Sequence, residues 1–144
     1  MSSSSSEADG PVARLLARSF TVLARERPEA YARLCQQLDG LALELSVDGK
    51  RFAAAFSAER AWVQDVEGNE PVRVATRGGA ILDLLDARLT LAEAVLSDAV
   101  EVVGPVDILV RLHEGLGVYL HGAVRSPGFE VLLQRLRDTC AASA

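Results

Sequence analysis

The sequence is poor in the residues that most often carry chemistry or covalent staples. It has two cysteines and two histidines in 144 positions. Cys35 and Cys140 stand far apart with no second Cys or His at ligand spacing, which fits neither a zinc site nor a disulfide framework and points to a reducing compartment. Both read as small apolar core residues. Lysine is nearly missing: Lys50 is the one lysine among fifteen basic residues, an arginine bias of the kind a GC-rich bacterial genome leaves. Twenty acidic residues outweigh those fifteen to give a net charge of −5, and aromatics make up 5%. With no basic stripe carrying interleaved aromatics, a nucleic-acid partner is excluded. No apolar run approaches the roughly 18 residues of a membrane span. Residues 1–10, a serine run followed by acidic residues, lack the basic start and apolar stretch of a signal peptide, and Ser2 rules out myristoylation. The expectation is a cytoplasmic protein with no transmembrane segment.

What is abundant is aliphatic. Apolar residues form 49% of the chain, and with tyrosine dropped and glycine counted in, about 55%, against a usual 45–50%. A chain of this length buries roughly 68 to 70% of its unfolded surface, so a core needs no staple. The apolar surplus fits a thick core, a subunit interface or a lined cavity. Residues 1–10 read as a disordered Ser-rich tail, and residues 11–144 as one domain with N-terminal helices and an extended C-terminal helical tail.

Hydrophobic spacing orders the elements. Val12, Leu15, Leu16, Phe20 and Leu23 follow a helical period that Pro28 must interrupt. A second helix carries Tyr31, Leu34, Cys35 and Leu38 inward and ends at Gly40. The period then falls to two: Leu43, Leu45 and Val47 alternate with Glu44, Ser46 and Asp48, and Asp48-Gly49 signals a hairpin into a return strand with Phe52, Ala54 and Phe56 on one face. Further strands are expected over 61–66, 71–76 and 99–103, the first four as a meander of short antiparallel strands, with Leu43, Leu45, Phe52 and Phe56 inside. Gly78-Gly79 opens one short helix, and Thr90 with Glu93 forms a capping box for the next. A long helix from Val106 is expected to kink or break near Gly115, and a last helix carries Phe129, Leu132, Leu133 and Leu136 on one stripe. The fold class is α+β, with about five mostly antiparallel strands and helices on one face.

Candidate chemistry is thin. On one helix His113 and His121 would lie about 80° apart in azimuth and roughly 12 Å along the axis, too far to share a metal. No serine sits in a G-x-S-x-G elbow, and neither cysteine has a catalytic signature. Asp83 and Asp86 share a helix face at i, i+3, which reads as a solvated face. Gly78-Gly79 beside Arg77 lacks the lysine of a phosphate loop, and Gly115, Gly117 and Gly122 fail the dinucleotide spacing. The residues therefore point to a non-enzyme with no cofactor, no metal and no catalytic residues.

The order of elements, with particular residues in it, resembles the sterol carrier protein 2 (SCP2) sterol-binding domain family. The resemblance rests on Leu43-Glu44-Leu45-Ser46-Val47-Asp48-Gly49-Lys50 as the opening hairpin and on Val72-Arg73-Val74-Ala75-Thr76 followed by Ile81-Leu82-Asp83-Leu84-Leu85. It continues through Leu89-Thr90-Leu91-Ala92-Glu93-Ala94-Val95 and through Val100-Glu101-Val102-Val103-Gly104 with Leu109 and Leu112. It covers about residues 41–112. Two positions depart from the family's pattern: Ala87-Arg88 replaces its usual Gly-Lys, and Ser97-Asp98-Ala99 lacks the glycine common before the last strand. The resemblance implies a sheet with helices over one face and a hydrophobic tunnel that holds a fatty acyl group, sterol or isoprenoid without catalysis. Some relatives serve instead as dimerisation or accessory modules, including bacterial factors of ubiquinone synthesis. Periodicity and resemblance together place Leu82, Leu85, Val95, Leu109, Leu112, Leu116 and Phe129 on the ligand cavity. Two readings stand: a lipid-binding carrier whose partner is a hydrophobic small molecule, and an interaction module whose apolar surplus meets a second copy or a partner protein.

Overall fold

The computed structural model describes residues 10–143. The expected tail therefore lies, apart from Gly10, outside the described residues. Two helices open the chain, α1 (Pro11–Glu26) and α2 (Pro28–Gln37), each with proline in its first turn, where the missing N–H would have no helical partner. Strands β1 (Ala42–Val47), β2 (Lys50–Phe56), β3 (Ala61–Gln64) and β4 (Val72–Thr76) follow. Then come α3 (Gly78–Leu85), α4 (Leu91–Leu96), β5 (Val100–Val103), α5 (Val106–Ala123) and α6 (Phe129–Ser143).

The local signals act as the sequence indicates. Asp48 and Gly49 both have positive φ, 52° and 85°, which gives the turn that matches the twist of paired strands. Thr90 Oγ1 accepts the Glu93 N–H at 3.1 Å and Glu93 Oε1 accepts the Thr90 N–H at 2.9 Å, so the capping box at α4 is complete.

The sheet order corrects the meander. It runs β3-β2-β1-β4-β5, with β1 and β4 parallel and every other pair antiparallel. Residues 65–71 thus carry the chain past β2 and β1 rather than reversing it. Within that crossover the Glu70 carboxylate accepts the N–H groups of Glu67 (2.7 Å) and Gly68 (3.1 Å), so a side chain closes the turn that resembled a hairpin. Centring β1 places the most regular aliphatic alternation of the chain between two neighbours. Leu43 stands between Ala54 and Val72, and Leu45 between Phe52 and Val74.

One face of the sheet carries the helices. Leu43, Ala54, Phe56, Val72 and Val74 join Phe20, Leu23, Leu34, Leu112 and Phe129 in the main core, while Val47, Phe52 and Ala13 form a smaller cluster. Fully burying side chains such as Phe52, Leu23, Leu34 and Leu112 stabilises by about 1.5–3 kcal/mol each relative to leaving them in water. The other face has a floor of small residues, Ala53 and Ala55, flanked by the Glu44–Arg51 pair at 3.0 Å and by Trp62 under the Arg60 guanidinium.

Three further expectations change. The α5 helix runs unbroken through Gly115, because that glycine and Gly122 serve contact: a Cβ at Gly115 would lie 2.8 Å from Leu38 Cγ, and one at Gly122 would lie 2.7 Å from Leu23 Cδ1. Close approach of α2 and α1 to α5 outweighs the lower helix propensity of glycine. Val95, expected inward, is 41% exposed, since Ala94 is the α4 residue that enters the core. Cys35 is buried, but Cys140 is only partly so, lying against Gly78. No helix among the described residues is long and apolar enough to cross a membrane.

Candidate functional site

The covered side of the sheet differs at its two ends. At the end where β1 begins, four rings fill the space between sheet and helices. Phe56 and Phe20 have centroids 5.8 Å apart, Phe20 and Tyr119 6.0 Å, and Tyr119 and Phe129 6.1 Å, all edge to face. Such contacts add about 0.5–1.5 kcal/mol each beyond area burial. The Tyr119 hydroxyl donates to Ser19 Oγ at 2.6 Å, and Ser19 Oγ donates to the Leu16 carbonyl at 2.6 Å. Desolvation pushes the Tyr119 phenol up to about 12.

At the other end, beside the β1–β2 turn, a cavity of about 950 Å³ opens among α1, α3, α6 and the sheet. Its apolar lining comes from Val12 and Leu82, which are partly exposed, and from Ala13, Val47, Phe52 and Ala80, which are buried beneath it. That volume falls in the range of pockets that enclose a small ligand, roughly 300–1,000 Å³. The framing is specific. The Asp48 carboxylate accepts the Gly78 N–H at 3.2–3.3 Å, which ties the hairpin turn to the start of α3. Across the opening, Arg137 of α6 donates to Asp86 Oδ1 at 2.7 Å. The hydrogen bond from Arg137 holds the Asp86 carboxyl below its ordinary range and raises the guanidinium in return. Burial, and after it the nearby Asp48 charge, push the Cys140 thiol up, so it is a poor nucleophile.

The structure distributes the expected site residues. Leu82 lines this cavity. Leu85, Leu109 and Leu116 are partly buried against the main core, as is Leu45, although Leu45 sits on the central strand and on its covered face. Leu112 and Phe129 belong to the core itself, and Val95 faces water. The cavity's Val12, Ala13, Val47 and Phe52 were absent from the sequence reading of the site, as was its charged rim. Their periodicity marks only an inward face and does not separate core from cavity wall. Asp86, read as part of a solvated face, acquires Arg137, which is 51 positions away. His113 and His121 are both exposed on α5. Among the described residues no group of three His, Cys, Asp or Glu side chains is arranged to hold a metal ion.

No family of sequences and no curated protein matches the chain. Solved structures do. The UbiJ-SCP2 ubiquinone synthesis protein aligns with a TM-score of 0.56 at 18% identity, over 76% of this chain and 92% of its own. The sterol carrier protein domain 2 of Helicoverpa armigera aligns at 0.52 with 12% identity, over 78% and 91%. A conserved hypothetical protein from Thermus thermophilus aligns at 0.50 with 16% identity, over 75% and 85%. The chain has an SCP2-like fold.

Proposed function

We propose that the protein is a non-catalytic lipid-binding carrier that holds a hydrophobic ligand, a fatty acyl group, sterol or isoprenoid, between the sheet and its helices. The cavity of about 950 Å³ is the observation that carries this reading, because the fold leaves Val12 and Leu82 partly exposed beside open space, over a buried floor that includes Val47 and Phe52. Leu85, Leu109 and Leu116 pack against the main core, to which Leu112 and Phe129 belong, so of the leucines expected at the site Leu82 is the one that borders the cavity. The ring stack from Phe56 to Phe129 occupies the opposite end, so the ligand enters a blind pocket rather than threading a tunnel. Similarity of fold to a sterol carrier protein domain and to a ubiquinone synthesis protein is consistent with a ligand of this kind.

Native mass spectrometry after gentle purification, with titration of a fluorescent fatty acid at micromolar concentration, tests the reading. The expected result is a retained lipid mass and uptake with a negative heat-capacity change. Leu82→Trp should fill the cavity and weaken uptake at little cost in stability. Leu112→Trp, at a site only 2% exposed, should overpack the core and destabilise by about 1–3 kcal/mol. A ligand-free homodimer that takes up no fatty acid would overturn the carrier reading in favour of an interaction module.

A further inference from the structure

A groove of about 570 Å³ runs between α1 and β3 and shares no lining residue with the cavity beside the β1–β2 turn. Ala17, Thr21 and Ala24 form its helical wall, and Ala61, Trp62 and Val63 its strand wall. β3 is an edge of the sheet, and it carries neither the charged residue nor the proline that often guards such an edge. Its backbone has a defined direction. The Phe56 N–H donates to the Leu41 carbonyl at 2.9 Å, so Phe56 turns toward β1, and its register partner Ala61 turns outward, where its N–H donates to the Tyr31 hydroxyl at 2.8 Å. Antiparallel alternation then points Trp62 and Gln64 at β2 and the Val63 N–H and C=O away from the sheet. Charge accompanies this open edge. Arg14, Arg18 and Arg25 recur on α1 at i, i+4 and i+11, which sets them within about 40° around the helix and roughly 16 Å along it. All three are exposed, and among the described residues none forms a salt bridge. Arg25 lines the groove, Arg60 lies 4.7 Å over the Trp62 ring, and among the described residues no carboxylate lines the groove. This is a positive border in a chain whose net charge is −5.

We propose that the groove between α1 and β3 docks an extended acidic segment of a partner protein, which adds to β3 as a further strand. Strand addition supplies the backbone partners that the Val63 N–H and C=O lack, and alternate side chains of the added strand then point to opposite faces. Those on the helix side enter the groove, where Ala17, Thr21 and Ala24 leave room for aliphatic groups. Those on the other side stand beside Trp62 and meet Arg60. Carboxylates that flank the strand meet the arginine stripe of α1, whose guanidinium forks match carboxylate oxygens. A membrane surface would engage the arginines but leave the strand edge unpaired.

Fluorescence anisotropy of the full chain with a labelled nine-residue peptide that alternates valine and glutamate tests the proposal. At low salt it should bind about tenfold more tightly than the same peptide with lysine for glutamate, and the preference should shrink at high ionic strength. Methylating the backbone nitrogens of either the valines or the glutamates should weaken binding about tenfold in one case and little in the other, since one set alone faces β3. The triple variant Arg14→Gln, Arg18→Gln, Arg25→Gln should lose the preference for glutamate while keeping its thermal midpoint, because the three residues are exposed. Amide shifts on peptide addition should cluster in residues 17–25 and 60–65. Indifference to methylation of both sets would overturn strand addition, and equal binding of the lysine peptide would overturn the acidic partner. Shifts confined to the cavity walls would overturn the location. Absence of binding by the glutamate peptide would overturn the proposal outright, and arginine-dependent binding to phosphatidylglycerol vesicles in its place would assign the stripe to a membrane surface.

Discussion

Leu38 occupies the space that a side chain at Gly115 would need: a Cβ there would lie between 2.8 and 3.0 Å from its Cγ and both of its methyl carbons. Leu38 is itself buried, so it has little room to yield. Gly115→Ala gains about 1 kcal/mol in helix propensity but overpacks at about 1–3 kcal/mol, and the net result is a loss. Gly117, two residues on, faces open space within 4 Å. Gly117→Ala should therefore stabilise by up to about 1 kcal/mol. Urea melts of the two variants should move in opposite directions.

Ala87 and Asp98 hold φ of 61° each, the left-handed region that disfavours a Cβ. These positions fall in the two segments where the chain lacks glycines usual in the SCP2 pattern. The alanine backbone costs about 1–2 kcal/mol there, part of which glycine returns through greater unfolded-state entropy. Ala87→Gly should raise stability by about 0.5–1 kcal/mol. Asp98→Gly should gain less, because aspartate tolerates this region better. Thermal denaturation of both variants reads the order.

Tyr119 makes alkaline stability predictable in sign. Below pH 10 the phenol is protonated in the folded and unfolded chains alike, and its contribution is whole. Between 10 and about 12 the unfolded chain releases the proton while the folded chain keeps it, so stability falls as pH rises, by about 1.4 kcal/mol per unit. Tyr119→Phe loses the hydrogen bond to Ser19, about 1 kcal/mol at neutral pH, and removes this slope. The gap between wild type and variant should close above pH 10, as followed by chemical denaturation at stepped pH.

The Asp86–Arg137 pair predicts the acid limb. Asp86 has a lowered pKa in the folded chain, so its contribution is present above the ordinary aspartate range and is lost as pH falls through the lower folded value. Asp86→Asn and Arg137→Gln should each flatten the acid dependence of stability. If the contact is the cause, the double variant should be no worse than either single one. Independent, additive effects in that cycle would refute a coupling between α3 and α6.

Much of the fold was legible because its signals are short-ranged. The helical period of Val12 to Leu23, the proline that divides α1 from α2, the Asp48-Gly49 turn and the Thr90–Glu93 capping box each depend on residues within a few positions of one another. A dihedral preference or a side-chain cap acts over that distance whatever the rest of the chain does. The candidate site was less legible: an inward stripe marks Leu82, Leu112 and Phe129 alike, although Leu112 and Phe129 are core and Leu82 is a half-buried cavity wall, because periodicity assigns both to the same face.

Tertiary structure decided what depends on contacts between distant segments. The parallel pairing of β1 with β4, the Leu38 and Leu23 contacts that require Gly115 and Gly122, the approach of Arg137 to Asp86 and the gathering of Lys50, Arg77 and Arg88 around one opening all join residues far apart in the chain. Loop-closure entropy grows slowly with length, so many such pairings cost nearly the same to close. Which one forms is settled by how well apolar faces pack over the whole molecule, a property that no local stretch of sequence contains.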